Sequence, residues 1–207
     1  MSTIARLSAA RIVPIVTVDD AAFSHDLADA LLRGGLTSVE ITLRTSAGLA
    51  AVEAFAQRGD LLVGAGTVLT AQQVDESADR GAQFIVSPGY DPDVVQRAQE
   101  RGLLALPGVA TATEVQRAVR DGLTHLKLFP VESLGGLSLI SALTAPFPGV
   151  SYMPSGGISA GNVEAYLAHP AVFAVGASWM VPRDTIGAGR FDDIAALSAE
   201  ATRLASR

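Results

Sequence analysis

Residues 84–107 read Phe-Ile-Val-Ser-Pro-Gly-Tyr-Asp-Pro-Asp-Val-Val-Gln-Arg-Ala-Gln-Glu-Arg-Gly-Leu-Leu-Ala-Leu-Pro. A short apolar run, Phe84–Ser87, leads into an amphipathic stretch, Pro92–Arg101. Arg101-Gly102 supplies a helix stop, and a second apolar run follows, Leu103–Pro107. Two strands joined by a helix make a parallel unit, because a parallel pair needs a long crossover.

The same pattern extends in both directions. Further strand candidates are Ile12–Val18, Ser38–Thr42, Leu61–Thr67, Leu123–Phe129, Val150–Ser155 and Val172–Gly176. Helical patterns run over Ala21–Arg33, Ser46–Gln57, Ala71–Arg80, Thr113–Asp121, Leu137–Ala145, Asn162–Ala168 and Asp192–Ala205. Arg33-Gly34, Arg80-Gly81 and Asp121-Gly122 repeat the stop signal. Eight strands alternating with eight helices imply a parallel sheet. The expectation is a small TIM (β/α)8 barrel, with a doubly wound open sheet as the structural alternative. No linker divides residues 1–207, so a single domain is expected.

Composition narrows the function. Apolar residues make up 49% of the chain and charged residues 17%, a folded composition rather than a disordered one. The formal net charge of −6 gives no basic footprint for nucleic acid. No apolar run suits a bilayer span, and Met1–Val16 does not read as a signal peptide. Cysteine is absent, which removes disulfides and thiolate metal sites and fits a cytoplasmic location. His25, His125 and His169 are scattered, so no metal site is expected.

Arginine supplies fourteen of the fifteen basic residues, and the remaining one is Lys127. Arginine cannot act as a nucleophile, since its guanidinium stays protonated. Lys127 lies in Thr-His-Leu-Lys-Leu-Phe-Pro. Strand alternation puts Leu126 and Leu128 on one face and His125, Lys127 and Phe129 on the other. An inward lysine in an apolar strand is expected to have a lowered pKa, the condition for a Schiff-base nucleophile. A structural buried ion pair is the alternative.

In Val-Glu-Ile-Thr-Leu-Arg-Thr, residues Glu40, Thr42 and Arg44 share a face. Glu40 is a candidate general acid/base, and Arg44 has the fork that grips a carboxylate. A structural Glu40–Arg44 pair is equally compatible with the spacing. Thr67 closes a Gly-Ala-Gly-Thr segment where backbone and hydroxyl can meet a ligand. The last two strands end in Pro-Ser-Gly-Gly-Ile-Ser and Val-Gly-Ala-Ser-Trp. Gly156, Gly157, Gly176, Ala177 and Ser178 there suit a phosphate held by backbone N–H groups.

These segments together resemble the bacterial 2-dehydro-3-deoxy-6-phosphogluconate (KDPG) and 4-hydroxy-2-oxoglutarate (KHG) aldolases. The resemblance runs in order from Arg11 to Pro182. Its most specific parts are Glu-x-Thr-x-Arg at 40–44 and Lys-x-Phe-Pro at 127–130. It implies a class I aldolase that cleaves a phosphorylated 2-keto-3-deoxy sugar acid to pyruvate and glyceraldehyde 3-phosphate. Lys127 would form the Schiff base and Glu40 would move protons. Arg44 and Thr67 would hold the carboxylate, Pro88 and Phe129 would line the pocket, and Gly156, Gly157, Gly176 and Ser178 would bind phosphate. A homotrimer without metal or other cofactor, serving the Entner–Doudoroff route, is also implied. Ser155 stands where the family often has threonine, and Ala177 where it often has glycine. The rival readings are an aldolase for the galactonate epimer, a non-covalent sugar-phosphate epimerase or isomerase, and a non-catalytic binding protein.

Overall fold

The computed structural model describes residues 1–206. In chain order its elements are α1 (Thr3–Ala10), β1 (Ile12–Val16), α2 (Ser24–Arg33), β2 (Ser38–Thr42), α3 (Gly48–Arg58), β3 (Leu62–Gly66), α4 (Ala71–Asp79), β4 (Phe84–Val86), α5 (Pro92–Glu100), β5 (Leu104–Leu106), β6 (Gly108–Val109), α6 (Ala112–Arg120), β7 (His125–Leu128), α7 (Leu137–Thr144), β8 (Ser151–Pro154), α8 (Val163–Leu167), β9 (Val175–Ala177), α9 (Arg183–Gly187) and α10 (Phe191–Ala205). All strand pairs are parallel.

The expected closed eight-stranded barrel is not what forms. Six strands make one curled sheet in the order β5-β4-β3-β2-β1-β9, and β6-β7-β8 make a second, smaller sheet. Two prolines lie at the seams. Pro107 divides one extended segment: its first half, β5, pairs with β4, and its second half, β6, pairs with β7. Across the other seam, β8 and the β9 segment meet through two isolated bridges, Tyr152↔Val172 and Ser155↔Gly176. Tyr152 exchanges hydrogen bonds with Ala171 and Phe173. Two residues on, Pro154 has no N–H with which to continue that ladder.

Alternation along the strands separates two cores. Val39, Ile41, Val63, Ala65, Ile85, Leu126 and Leu128 face the helices and belong to the larger one. Leu62, Phe84, Val86, Leu106 and Met153 fill the concave side of the sheets. Leu7 of α1 packs into this inner cluster beside Val13 and Ala174. The sequence reading assigned no helix at α1. At eight residues it is shorter than the stretch over which a helical period stands out, and Leu7 is its one buried residue. Ser2 caps it, accepting from the Ala5 N–H at 3.3 Å.

The helix stops occur near the expected places, with one shift. Gly81, Gly102 and Gly122 take positive φ, but after α2 it is Gly35, not Gly34, that does so. Gly34 answers a different demand. A Cβ there would sit 2.2 Å from the Ser198 Cβ of α10, so the bare backbone permits the α2–α10 contact.

Leu7→Ala leaves a hole with walls contributed by strands of both sheets. The expected loss is about 2–5 kcal/mol of stability, read as a lower urea midpoint at unchanged slope. An unchanged midpoint would show that α1 is not part of the cooperative core.

Candidate active site

Above the inner apolar cluster, the concave face turns polar. Glu40 lies opposite Gly64 on β3 and Ile15 on β1. Lys127 lies opposite Gly108 and Met153. The curl of the two sheets brings these side chains together, and Lys127 Nζ donates to Glu40 Oε1 at 3.3 Å. Lys127 is 5% exposed and Glu40 is 1% exposed, so the ion pair is shielded from solvent screening. The ammonium also sits over the Phe129 ring, 5.4 Å from its centroid. The sequence reading expected an apolar setting for Lys127. The structure instead gives it a carboxylate partner with which a proton can be exchanged.

Glu40 owes its position to a missing side chain. A Cβ on Gly66 would lie 2.2 Å from Glu40 Oε1 and 2.6 Å from its Cγ. The other oxygen, Oε2, is buried with no hydrogen-bond partner. Such an atom costs free energy unless a ligand or water completes it. Two residues further along β2, Thr42 and Thr17 join hydroxyls at 2.8 Å.

The Glu40–Arg44 pair allowed by the spacing does not form. Arg44 Nε donates to Thr67 Oγ1 at 3.2 Å, leaving Glu40 to Lys127. Thr67 has φ +57°, an outlying conformation for a β-branched residue. Strain of this kind clusters at functional sites.

A cleft of about 480 Å³ opens over these groups. Arg44, Lys127, Phe129, Ser155, Gly156, Gly157, Gly176, Ala177 and Ser178 all line it. Three expected residues are not in its lining. Glu40 lies behind Lys127, and Thr67 reaches the cleft through Arg44. Pro88 sits beyond β4, where its carbonyl would be 2.2 Å from a Cβ on Gly108.

Ser155 is fully buried, and its Oγ has no partner. Gly176 makes room for that hydroxyl, since a Cβ there would approach it to 2.3 Å. Gly156 and Gly157 both have φ near +90°. Their carbonyls are engaged by the Glu132 N–H and by Asn162 Nδ2, respectively. Tyr166 donates its hydroxyl hydrogen to Glu132, whose Cγ lies 2.5 Å from where a Gly157 Cβ would be. The glycine loop is therefore braced from behind.

Sequence reasoning missed Thr17, Thr45 and Arg183 in the lining. Arg183 follows β9 and grips Asp19, beyond β1, through Nε at 2.7 Å and through Nη2. This guanidinium holds the Asp19 carboxyl below the usual carboxylate range. The expected structural role of His125 fits its surroundings, the Thr124 hydroxyl and an edge-on Phe173 ring. Burial lowers its pKa. Among the described residues, no three His, Cys, Asp or Glu side chains converge as metal ligands, and no helix is long and apolar enough to cross a membrane.

Comparison with known proteins follows the same line. The family model for KDPG and KHG aldolase matches residues 3–197. The 2-dehydro-3-deoxy-phosphogluconate aldolase of Treponema pallidum is 43% identical, over 96% of this chain and 95% of its own. The KHG/KDPG aldolase of Escherichia coli K12 is 38% identical, over 94% and 92%. A solved KDPG aldolase from Legionella pneumophila, with pyruvate captured as a covalent carbinolamine, superposes at a TM-score of 0.92. Its identity is 34%, over 96% of this chain and 97% of that one.

Proposed function

Because the chain belongs to the KDPG and KHG aldolase family and is a carbon–carbon lyase of class I, we propose that Lys127 is its Schiff-base lysine and Glu40 its proton carrier. The observation that carries this is the buried 3.3 Å contact between the only lysine, on the cleft floor, and a carboxylate behind it.

The reaction follows from the groups in place. Glu40 receives a proton from the Lys127 ammonium, and the free amine adds to the C2 ketone. Glu40 gives that proton to the carbinolamine hydroxyl, which leaves as water, so that Glu40 is again a carboxylate and the protonated imine serves as an electron sink. Glu40 takes the proton of the C4 hydroxyl. The C3–C4 bond then breaks, its electron pair moving toward the iminium nitrogen. Glyceraldehyde 3-phosphate leaves, and an enamine of pyruvate remains. Glu40 returns a proton to C3, and water releases pyruvate and regenerates Lys127. Arg44, braced by Thr67, holds the carboxylate end, with Phe129 shaping the apolar side. The Gly156–Gly157 and Gly176–Ser178 loops take the phosphate. Binding at these remote ends positions the reacting bond.

The unpaired Ser155 hydroxyl supports its contact with a substrate hydroxyl, the group by which the gluconate and galactonate epimers differ. Comparing kcat/KM on both epimers tests that assignment. The scheme needs no metal or other cofactor. The family resemblance supports residues 1–207 acting as one domain, in a cytoplasmic homotrimer on the Entner–Doudoroff route.

Borohydride reduction with pyruvate, followed by peptide mapping, tests the central assignment. The expected product is a reduced adduct on Lys127 that is absent without pyruvate, the N-terminal amine being mapped separately. Folded protein with no adduct on Lys127 would remove the covalent mechanism and favour a non-covalent epimerase or a binding protein.

A further inference from the structure

We propose that Arg183, oriented by Asp19, is the cation that selects phosphorylated substrates. The inference rests on reading the glycine loops as the phosphate end of the cleft. Three basic side chains line that cleft: Lys127, Arg44 and Arg183. Lys127 is committed to the floor and to Glu40. Arg44 leans toward β3, where Thr67 accepts its Nε–H.

Arg183 lies on the other side. β9 pairs with β1, and Ser155 bridges Gly176, so the ends of β8, β9 and β1 are neighbours. Gly156 and Gly157 follow β8, and Ser178 follows β9. Arg183 comes five residues after Ser178, and Asp19 lies three residues beyond β1. The pair therefore stands beside the proposed phosphate loops.

Its geometry suits a shared guanidinium. Asp19 takes Nε and Nη2. Among the described residues, nothing occupies Nη1, so its two N–H groups remain for a ligand. Arginine presents such N–H pairs in a rigid fork matched to phosphate oxygens. A chain of net charge −6 needs a local cation where a dianion docks, because its overall field repels one. Asp19 touches the guanidinium and acts as a positioning residue, fixing its rotamer at the rim.

The test is Arg183→Ala in the full chain, assayed with 2-dehydro-3-deoxy-6-phosphogluconate and with inorganic phosphate as competitor. The side chain is more than half exposed, so the variant is expected to fold. KM for the phosphorylated substrate should rise about 10-fold, the effect of one charge-assisted hydrogen bond at a partly solvated site. Inhibition by phosphate should weaken by about the same factor. Borohydride trapping with pyruvate, which lacks the distal half of the substrate, should keep its wild-type rate.

Unchanged KM in the variant, with phosphate still competing in the wild type, would overturn the role of Arg183 alone. Equal losses in trapping and in KM would overturn it too, by showing a general structural defect. If phosphate fails to compete even in the wild type, the phosphate-end reading falls and this inference with it.

Discussion

Lys127→Met is expected to lower turnover by about 10⁴-fold or more, the scale seen when a covalent nucleophile is removed. Methionine matches the length of the lysine stem but offers no amine. Carbinolamine formation therefore stops, and borohydride leaves no adduct at position 127. Folding needs its own control, because Glu40 is buried and would lose the one partner its carboxylate has among the described residues. Breaking a buried pair from one side costs about 3–5 kcal/mol. Exchanging both members for apolar residues, as in Lys127→Met with Glu40→Leu, removes that penalty. The double variant should recover melting temperature while staying inactive. Pyruvate release at wild-type rates from either protein would end the Schiff-base proposal.

Glu40→Gln separates proton transfer from imine formation. Glutamine keeps the shape and can still accept a hydrogen bond from Lys127, but it cannot carry a proton between reaction centres. Cleavage is expected to fall by about 10²–10⁴-fold, the range for losing a positioned acid/base. Pyruvate should still be trapped on Lys127, more slowly. The sharpest readout is exchange of the pyruvate methyl protons with deuterated water, followed by NMR, since that reaction needs the imine and proton transfer at C3 but no carbon–carbon cleavage. Exchange should drop by the same factor as cleavage. Wild-type exchange in Glu40→Gln would assign the proton to another group.

Much of the site was visible before the structure because it follows strand alternation. Glu40, Thr42 and Arg44 fall on one face by period two, and Lys127 is marked by being the one lysine. The partnership between Glu40 and Lys127 was not visible. They are 87 residues apart, and the curl of two sheets, not a local pattern, brings them together. The 164-residue separation of Asp19 and Arg183 hid that pair for the same reason. The seams were missed differently. The apolar neighbours of Pro107 and Pro154 give both the pattern of strand residues, although proline inside a strand is itself a sign that a ladder ends. Residue identity carried that information, while the hydrophobic pattern alone did not.

The seat of α1 also constrains how the chain comes off the ribosome. Leu7 is synthesised well before Met153 and Ala174, which share its cluster, and β1 well before β9, with which it pairs. The nascent first helix must therefore wait unseated through most of synthesis. With one buried leucine in eight residues, it has little to misplace in the meantime. Vectorial folding of this enzyme should thus finish only after release of the C-terminal third, with the inner cluster closing last.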